Sequence, residues 1–267
     1  MRARCNDIDV AWFEVGRGEP LILIHGLADD HRSWRRALPG LLLRHRVLMY
    51  DLRGHGETSL GRPEGTLTQL GADLVSLMEA AGVDAAHIAG FSLGGTIAMR
   101  MAIDHPARVR SLVLVATSSR VGKAAADWYQ QRVDMVKRND PELRATLDRD
   151  AADVYAESAS ELPDGLFIRR QSTADPRGYG NACAAMAALN AAPLDPELSR
   201  ISAPTLIVAS ELDRHCPPKA AQIIAAGIKG AAARVRLEVI PGAGHPIPVE
   251  KPHELVRSIN SFLAARD

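Results

Sequence analysis

The feature that most restricts how this chain can fold is an alternation of short, mostly apolar runs with longer stretches whose apolar residues recur at helical spacing. Pro20-Leu21-Ile22-Leu23-Ile24, Arg46-Val47-Leu48-Met49-Tyr50-Asp51, Ala85 to Gly90, Ser111 to Ala116 and Thr205 to Ala209 read as strands. Such near-continuous apolar runs suit strands buried on both faces. Between them, Leu67 to Ala81 carries Leu67, Leu70, Leu74, Leu77 and Met78 on one face and stops at Gly82. Leu93 to His105 stops before Pro106, and further helices are expected near Lys219 to Ile228 and from Glu254 to Ala265. A strand is also expected at each end of the series, around Ile8 to Val15 and Arg234 to Ile240. The alternation implies an α/β chain with a mostly parallel sheet covered by helices on both faces.

One interval breaks the rhythm. From about Arg120 to Arg200 no strand-like run occurs, and Ala, Asp, Arg and Glu recur at helical spacing. Because the parallel pattern resumes beyond it, residues 120–200 are expected to form a helical cap over the carboxyl edge of the sheet, where open α/β sheets bind ligands. The core is then residues 1–119 and 201–267. At 267 residues the chain fits one domain carrying such an insertion.

Charge excludes some partners. Lys+Arg and Asp+Glu both total 32, so there is no net field to attract nucleic acid or an anionic membrane surface. Met1 to Val10 holds Arg2, Arg4, Asp7 and Asp9 in place of an apolar leader, and no later run reaches spanning length; a cytoplasmic location is expected. Cys5, Cys183 and Cys216 are widely spaced and suggest neither a disulfide framework nor a metal site.

The chemistry is expected at Gly90-Phe91-Ser92-Leu93-Gly94, where G-x-S-x-G lies between a strand and a helix. A serine at such a turn adopts a strained backbone to project its hydroxyl, and only small residues fit two positions to either side. The helix that follows places its positive end at Ser92. A serine hydroxyl still needs a base, and the base needs an orienting acid. His245 lies in Pro241-Gly242-Ala243-Gly244-His245, a glycine-rich loop past a strand's carboxyl end, whereas His253 falls inside the last helix. Asp213, in the loop after Thr205 to Ala209, is the expected acid, with Glu211 as its rival. An oxyanion would take one hydrogen bond from the Leu93 N–H and a second from Leu27, after His25-Gly26.

These motifs, with Asp51-Leu52-Arg53-Gly54-His55-Gly56-Glu57-Thr58-Ser59, resemble the α/β-hydrolase superfamily across nearly the whole chain. The resemblance implies an eight-stranded, mostly parallel sheet, a chain order of serine, acid and histidine, and structural roles for Asp51 and Arg53. Within the superfamily, Asp175-Pro176-Arg177-Gly178-Tyr179-Gly180 and the following Asn181 to Met186 resemble the 3-oxoadipate enol-lactonases and related carboxylesterases. That likeness implies hydrolysis of a small carboxylic ester or lactone, without metal or organic cofactor. The chain departs from the enol-lactonases at His25-Gly26, at Leu93 and after His245. Cofactor-free perhydrolase or haloperoxidase chemistry, carbon–carbon bond hydrolysis, and a receptor of little turnover are alternatives on the same site. Trp128, Tyr129 and Phe167 are candidate pocket walls, and Arg120, Arg132, Arg169 and Arg170 are candidates to hold a substrate carboxylate.

Overall fold

The computed structural model describes residues 1–229 and 234–264. Eight strands form one sheet: β1 (Arg2–Cys5), β2 (Ile8–Gly16), β3 (Glu19–Ile24), β4 (His45–Tyr50), β5 (Ala86–Phe91), β6 (Val109–Val115), β7 (Thr205–Ser210) and β8 (Val235–Ile240). Their spatial order is β1-β2-β4-β3-β5-β6-β7-β8. β2 pairs antiparallel with both β1 and β4, and every pairing from β4 to β8 is parallel.

The helices are α1 (Leu38–Leu41), α2 (Leu67–Ala80), α3 (Leu93–Asp104), α4 (Lys123–Lys137), α5 (Leu143–Val154), α6 (Leu162–Ser172), α7 (Pro176–Ala188), α8 (Pro218–Gly227), α9 (Ile247–Glu250) and α10 (Pro252–Ala264). The expected end of the last helix at Ala265 lies outside the described residues. β1 and the short α1 and α9 were not anticipated: β1 is a four-residue edge strand, Arg2-Ala3-Arg4-Cys5, in which only Cys5 is buried.

The apolar runs are explained by which face each residue covers. Successive strand residues point to opposite faces. Ile22, Ile24, Leu48, Ile88, Leu112 and Leu114 therefore join α2 and α3 in one core, while Leu21, Leu23, Val47, Met49, Val113 and Val115 join α10 in the other. Each fully buried Leu or Ile stabilises the fold by roughly 1.5–3 kcal/mol, and the buried polar residues of β6 and β7, Ser111, Thr205 and Ser210, stand at or near strand ends. Among the described residues, no helix is long and apolar enough to cross a membrane.

Residues 120–200 supply α4 to α7 and no strand. They are packed into the molecule rather than appended to it. Ala182, Ala185 and Met186 of α7 belong to the main core, whereas Tyr179 and Cys183 join Val133, Leu147 and Ala28 in a separate small core.

Parallel register puts the carboxyl ends of β3, β5, β6, β7 and β8 on one edge: Ile24 is opposite Gly90, Phe91 opposite Val115, and Ser210 opposite Ile240. The loops leaving that edge carry Leu27, Ser92, Thr117, Asp213 and His245. The turn after β4 supports them with buried polar groups. Arg53 there donates to both oxygens of Asp73, at 2.8 and 2.7 Å, and Asp51 accepts from the His31 ring and the Glu57 N–H.

In the same turn His55 is buried beside His25, with ring centres 5.5 Å apart, and among the described residues only its Nδ1 has a hydrogen-bond partner, Arg53 O. Burial, then the neighbouring His25, push His55 down to about 4. The folded value lies below the unfolded reference of roughly 6.5, so protonation favours the unfolded chain, and stability present above that reference is lost as pH falls toward 4. The loss attributable to this ring is at most about 3 kcal/mol. Urea midpoints measured from pH 7 to 4 should fall less steeply in His55→Gln than in the native protein, and parallel slopes would contradict the assignment.

Candidate active site

Ser92 stands between β5 and α3 with φ 53° and ψ −120°, in the left-handed half of backbone space that a residue with a Cβ enters only under strain. The surroundings hold it there. Its N–H donates to Val115 O at 2.9 Å, and its carbonyl accepts from Thr117 Oγ1 at 2.7 Å and from the Gly95 N–H at 2.9 Å. A Cβ on Gly90 would fall far inside contact distance of the Gly94 carbonyl, and one on Gly94 would strike the carbonyls of Ile24 and His25. Both glycines are therefore fixed by backbone approach, as the pentapeptide suggested.

The three expected side chains meet. His245 Nε2 lies 3.1 Å from Ser92 Oγ, and His245 Nδ1 lies 2.7 Å from Asp213 Oδ2. Asp213 Oδ1 accepts from the N–H groups of His215 and Cys216, both at 2.8 Å. Burial alone would raise the Asp213 carboxyl. The charge and hydrogen bond of His245, with the two amides, outweigh it and hold the group below the usual carboxylate range. Glu211, the rival acid, instead accepts from the Gly242 N–H at 2.8 Å, so it shapes the turn before His245. The His245 loop is also held by Glu250, which accepts from the Gly244 N–H at 2.6 Å and from Ser158 Oγ at 2.6 Å.

The loop after β3 lies against the serine: a Cβ on Gly26 would sit 3.3 Å from Ser92 Cβ. Leu93 opens α3, so its N–H has no intrahelical acceptor, and the Leu27 N–H has no acceptor among the described residues. Leu27, Ser92 and His245 line a cavity of about 590 Å³ that extends beneath α4 to α7. Trp128 and Tyr129 line it too, and stack edge to face with ring centres 5.0 Å apart.

Phe167 does not line it, and that expectation is corrected. α6 turns Gly165, Ile168 and Ser172 inward, and Phe167 falls off that face with 59% of its surface exposed, its ring 6.0 Å from the Arg32 guanidinium. The interior positions of a helix rich in polar residues were not evident from spacing alone.

The four arginines divide. Arg132 is bound to both oxygens of Asp150 and covers the Trp128 ring, and Arg170 is bound to Asp148 on the surface; neither lines the cavity. Arg120 and Arg169 do line it, Arg120 while paired with Asp195 at 2.5 Å. His215, which no motif singles out, lines the cavity with its ring centre 5.1 Å from that of His245. Burial, then the His245 charge, lower its pKa, so it is neutral near pH 7.

Asp30, His31 and Asp51 gather closely enough to resemble a metal site. Their oxygens are already engaged, however. Asp30 grips Arg32, at 2.6 to 3.2 Å, and Asp51 Oδ1 receives both the N–H and the ring of His31. The cluster ties the loop after β3 to the turn after β4.

An elbow serine, a histidine and a buried carboxylate on the carboxyl edge of a mostly parallel eight-stranded sheet define the class. The family model for the alpha/beta hydrolase fold matches residues 19–252, and the chain belongs to that family of hydrolase enzymes. It is 32% identical over 254 residues to a protein named carbamate hydrolase RutD in Variovorax paradoxus, covering 92% of each chain. It is 30% identical over 197 residues to 3-oxoadipate enol-lactonase 1 of Acinetobacter baylyi, covering 72% of this chain and 71% of that one. Among solved structures, a hydrolase from Pseudomonas aeruginosa superposes with a TM-score of 0.85 at 30% identity, covering 98% of this chain and 97% of that one.

The glycine clearances give a test. Gly90→Ala and Gly94→Ala press a methyl group onto backbone carbonyls that cannot rotate away, so each should destabilise the protein by about 2–3 kcal/mol or prevent soluble expression. Unfolding free energies within about 0.5 kcal/mol of native, the scatter of neutral substitutions, would show the elbow to be looser than described.

Proposed function

We propose that the protein is a serine hydrolase that cleaves a small carboxylic ester or lactone through an acyl-enzyme. The observation that carries this reading is the unbroken hydrogen-bonded series from Asp213 through His245 to Ser92, opening into a largely apolar cavity. Ser92 Oγ attacks the carbonyl carbon as His245 Nε2 takes its proton. The oxyanion accepts from the Leu27 and Leu93 N–H groups, near the positive end of α3. His245 then returns the proton to the leaving alkoxide, whose bond to the carbonyl carbon breaks. Water, deprotonated by His245, attacks the acyl group, and the proton passes from His245 to Ser92 Oγ as its bond to the acyl carbon breaks.

Asp213 supports the sequence of steps in two ways. It fixes the tautomer in which Nδ1 carries the proton, and it stabilises the imidazolium that forms. The residues 120–200 act in this reading as the cap on a core of residues 1–119 and 201–267, and Trp128 and Tyr129 select among substrates. The enol-lactonase relative favours a lactone. The carbamate hydrolase relative favours a carbonyl with nitrogen on one side, which the same steps accommodate. A panel of esters, lactones and carbamates therefore decides the substrate class.

Ser92→Ala should abolish turnover of p-nitrophenyl acetate, and a fluorophosphonate should label the native protein at Ser92 alone. Labelling elsewhere would reassign the nucleophile. Asp213→Asn should lower kcat by about 10⁴-fold while sparing the fold, and Glu211→Gln should stay near native; the reverse pattern would move the acid to Glu211. Because a histidine base must be neutral, acylation should slow in acid, and a rate independent of pH would remove His245 from the mechanism.

A further inference from the structure

Arg169 stands where the helical segment meets the loop after β3. Its side chain is 14% exposed and runs along the cavity wall. Nη2 donates to the Leu27 carbonyl at 3.2 Å, and Nε lies 3.4 Å from Asp29 Oδ1. Ser172, one turn further along α6, donates its hydroxyl to the Asp29 carbonyl. One helix of the segment therefore grips the loop at the Leu27 carbonyl, the Asp29 carboxylate and the Asp29 carbonyl.

The loop needs an outside hold. Ala28 has φ 63°, a left-handed conformation that a residue with a Cβ does not favour. The backbone bond closing the turn, Asp29 N–H to Gly26 O, is 3.4 Å long, at the weak limit of hydrogen bonding. The two peptide planes flanking Leu27 are fixed from different sides. His25 Nε2 accepts from the Leu52 N–H at 2.9 Å, so Nδ1 carries the proton and donates to Gly26 O at 2.7 Å. That bond sets the Gly26–Leu27 plane. The Leu27–Ala28 plane is held by Arg169 through its carbonyl. Asp29 is buried, which raises its carboxyl above the usual carboxylate range, and the Arg169 guanidinium facing it opposes that shift.

We propose that Arg169 is a positioning residue for the oxyanion hole: by holding the Leu27–Ala28 peptide it stops the loop turning about Leu27, and so keeps the Gly26–Leu27 peptide, whose N–H the His25 bond orients, aimed at the reacting carbonyl oxygen; the helical segment completes the catalytic machinery as well as covering it. The inference rests on the acyl-enzyme reading above. It assigns the guanidinium to the protein's own loop and not to a substrate carboxylate.

An ester and its thionoester provide the test, because a carbonyl sulfur accepts hydrogen bonds poorly and an aligned oxyanion hole favours the oxygen compound. Arg169→Gln should lower kcat for the oxygen ester by about 10- to 100-fold, short of the 10²–10³ seen when a donor is removed outright. KM should stay within about threefold, as for an interaction made only in the transition state. The oxygen-to-sulfur rate ratio should fall with kcat, and Arg169→Lys, which can still donate to the Leu27 carbonyl, should recover part of both. Ser172→Ala leaves the buried charges paired and should lower the ratio in the same direction, so it decides the matter if Arg169→Gln does not fold. An unchanged ratio in these variants, or a rise in KM confined to carboxylate-bearing esters, overturns the inference. Ester turnover that survives Ser92→Ala would overturn the acyl-enzyme reading itself; turnover that requires Ser92 yet ignores Arg169 overturns only the role given to Arg169.

Discussion

Everything at this site depends on one backbone conformation, the left-handed turn at Ser92. A residue with a side chain pays steric energy to stand at φ 53°, and it remains there because β5 and α3 leave no other route for the chain. β5 is held on both sides, by β3 and β6, so Gly90 and Phe91 cannot shift to relieve the turn. The helix beyond is buried along nearly its whole length, from Leu93 to Ile103. Between these two rigid elements the strain is localised at one residue. Thr117, at the end of the neighbouring strand, fastens its carbonyl. The half-buried placement of Ser92 at the turn is thus a consequence of sheet order.

The electrostatics follow from the same edge. A buried carboxylate is costly unless it is paired and hydrogen-bonded, and three near this edge have such partners. Asp213 has His245 and two amides, Asp51 has His31 and the Glu57 N–H, and Asp73 has Arg53. The difference between them is what the partner can do next. Arg53 cannot release a proton near neutral pH, so its pair only fixes the turn after β4. His245 can, and its second nitrogen is within reach of Ser92.

Much of this was legible in the sequence because its causes are local. The central strands are apolar on both faces, so their runs are continuous and easily read. The G-x-S-x-G clearances involve residues within two positions of Ser92, and the choice of Asp213 over Glu211 followed from its place in the loop. β1 was not legible, since an edge strand with one buried residue carries no apolar run. Phe167 misled because aromatic character says nothing about which side of α6 faces inward, and that side was set by Gly165, Ile168 and Ser172. The roles of Thr117 and Arg169 were hidden for another reason. Each acts on a residue from a different segment, Arg169 on Leu27 across 142 positions, and no spacing rule reaches that far.

That distance bears on how substrate selection and chemistry are related in the molecule. α7 packs into the main core through Ala182, Ala185 and Met186 while Tyr179 and Cys183 build the small core of the helical segment with Ala28. α6 reaches the same loop from above through Arg169 and Ser172. The Leu27 to Asp29 stretch is therefore packed by the segment that roofs the cavity and is joined by sequence to the sheet that carries Ser92. A change in the roof that moves α6 alters the loop facing the nucleophile as well as the shape of the cavity. In the proposed reading the walls that choose a substrate and the groups that face its carbonyl are mechanically one body, so a substitution made for selectivity in α6 carries a cost or a gain in rate with it.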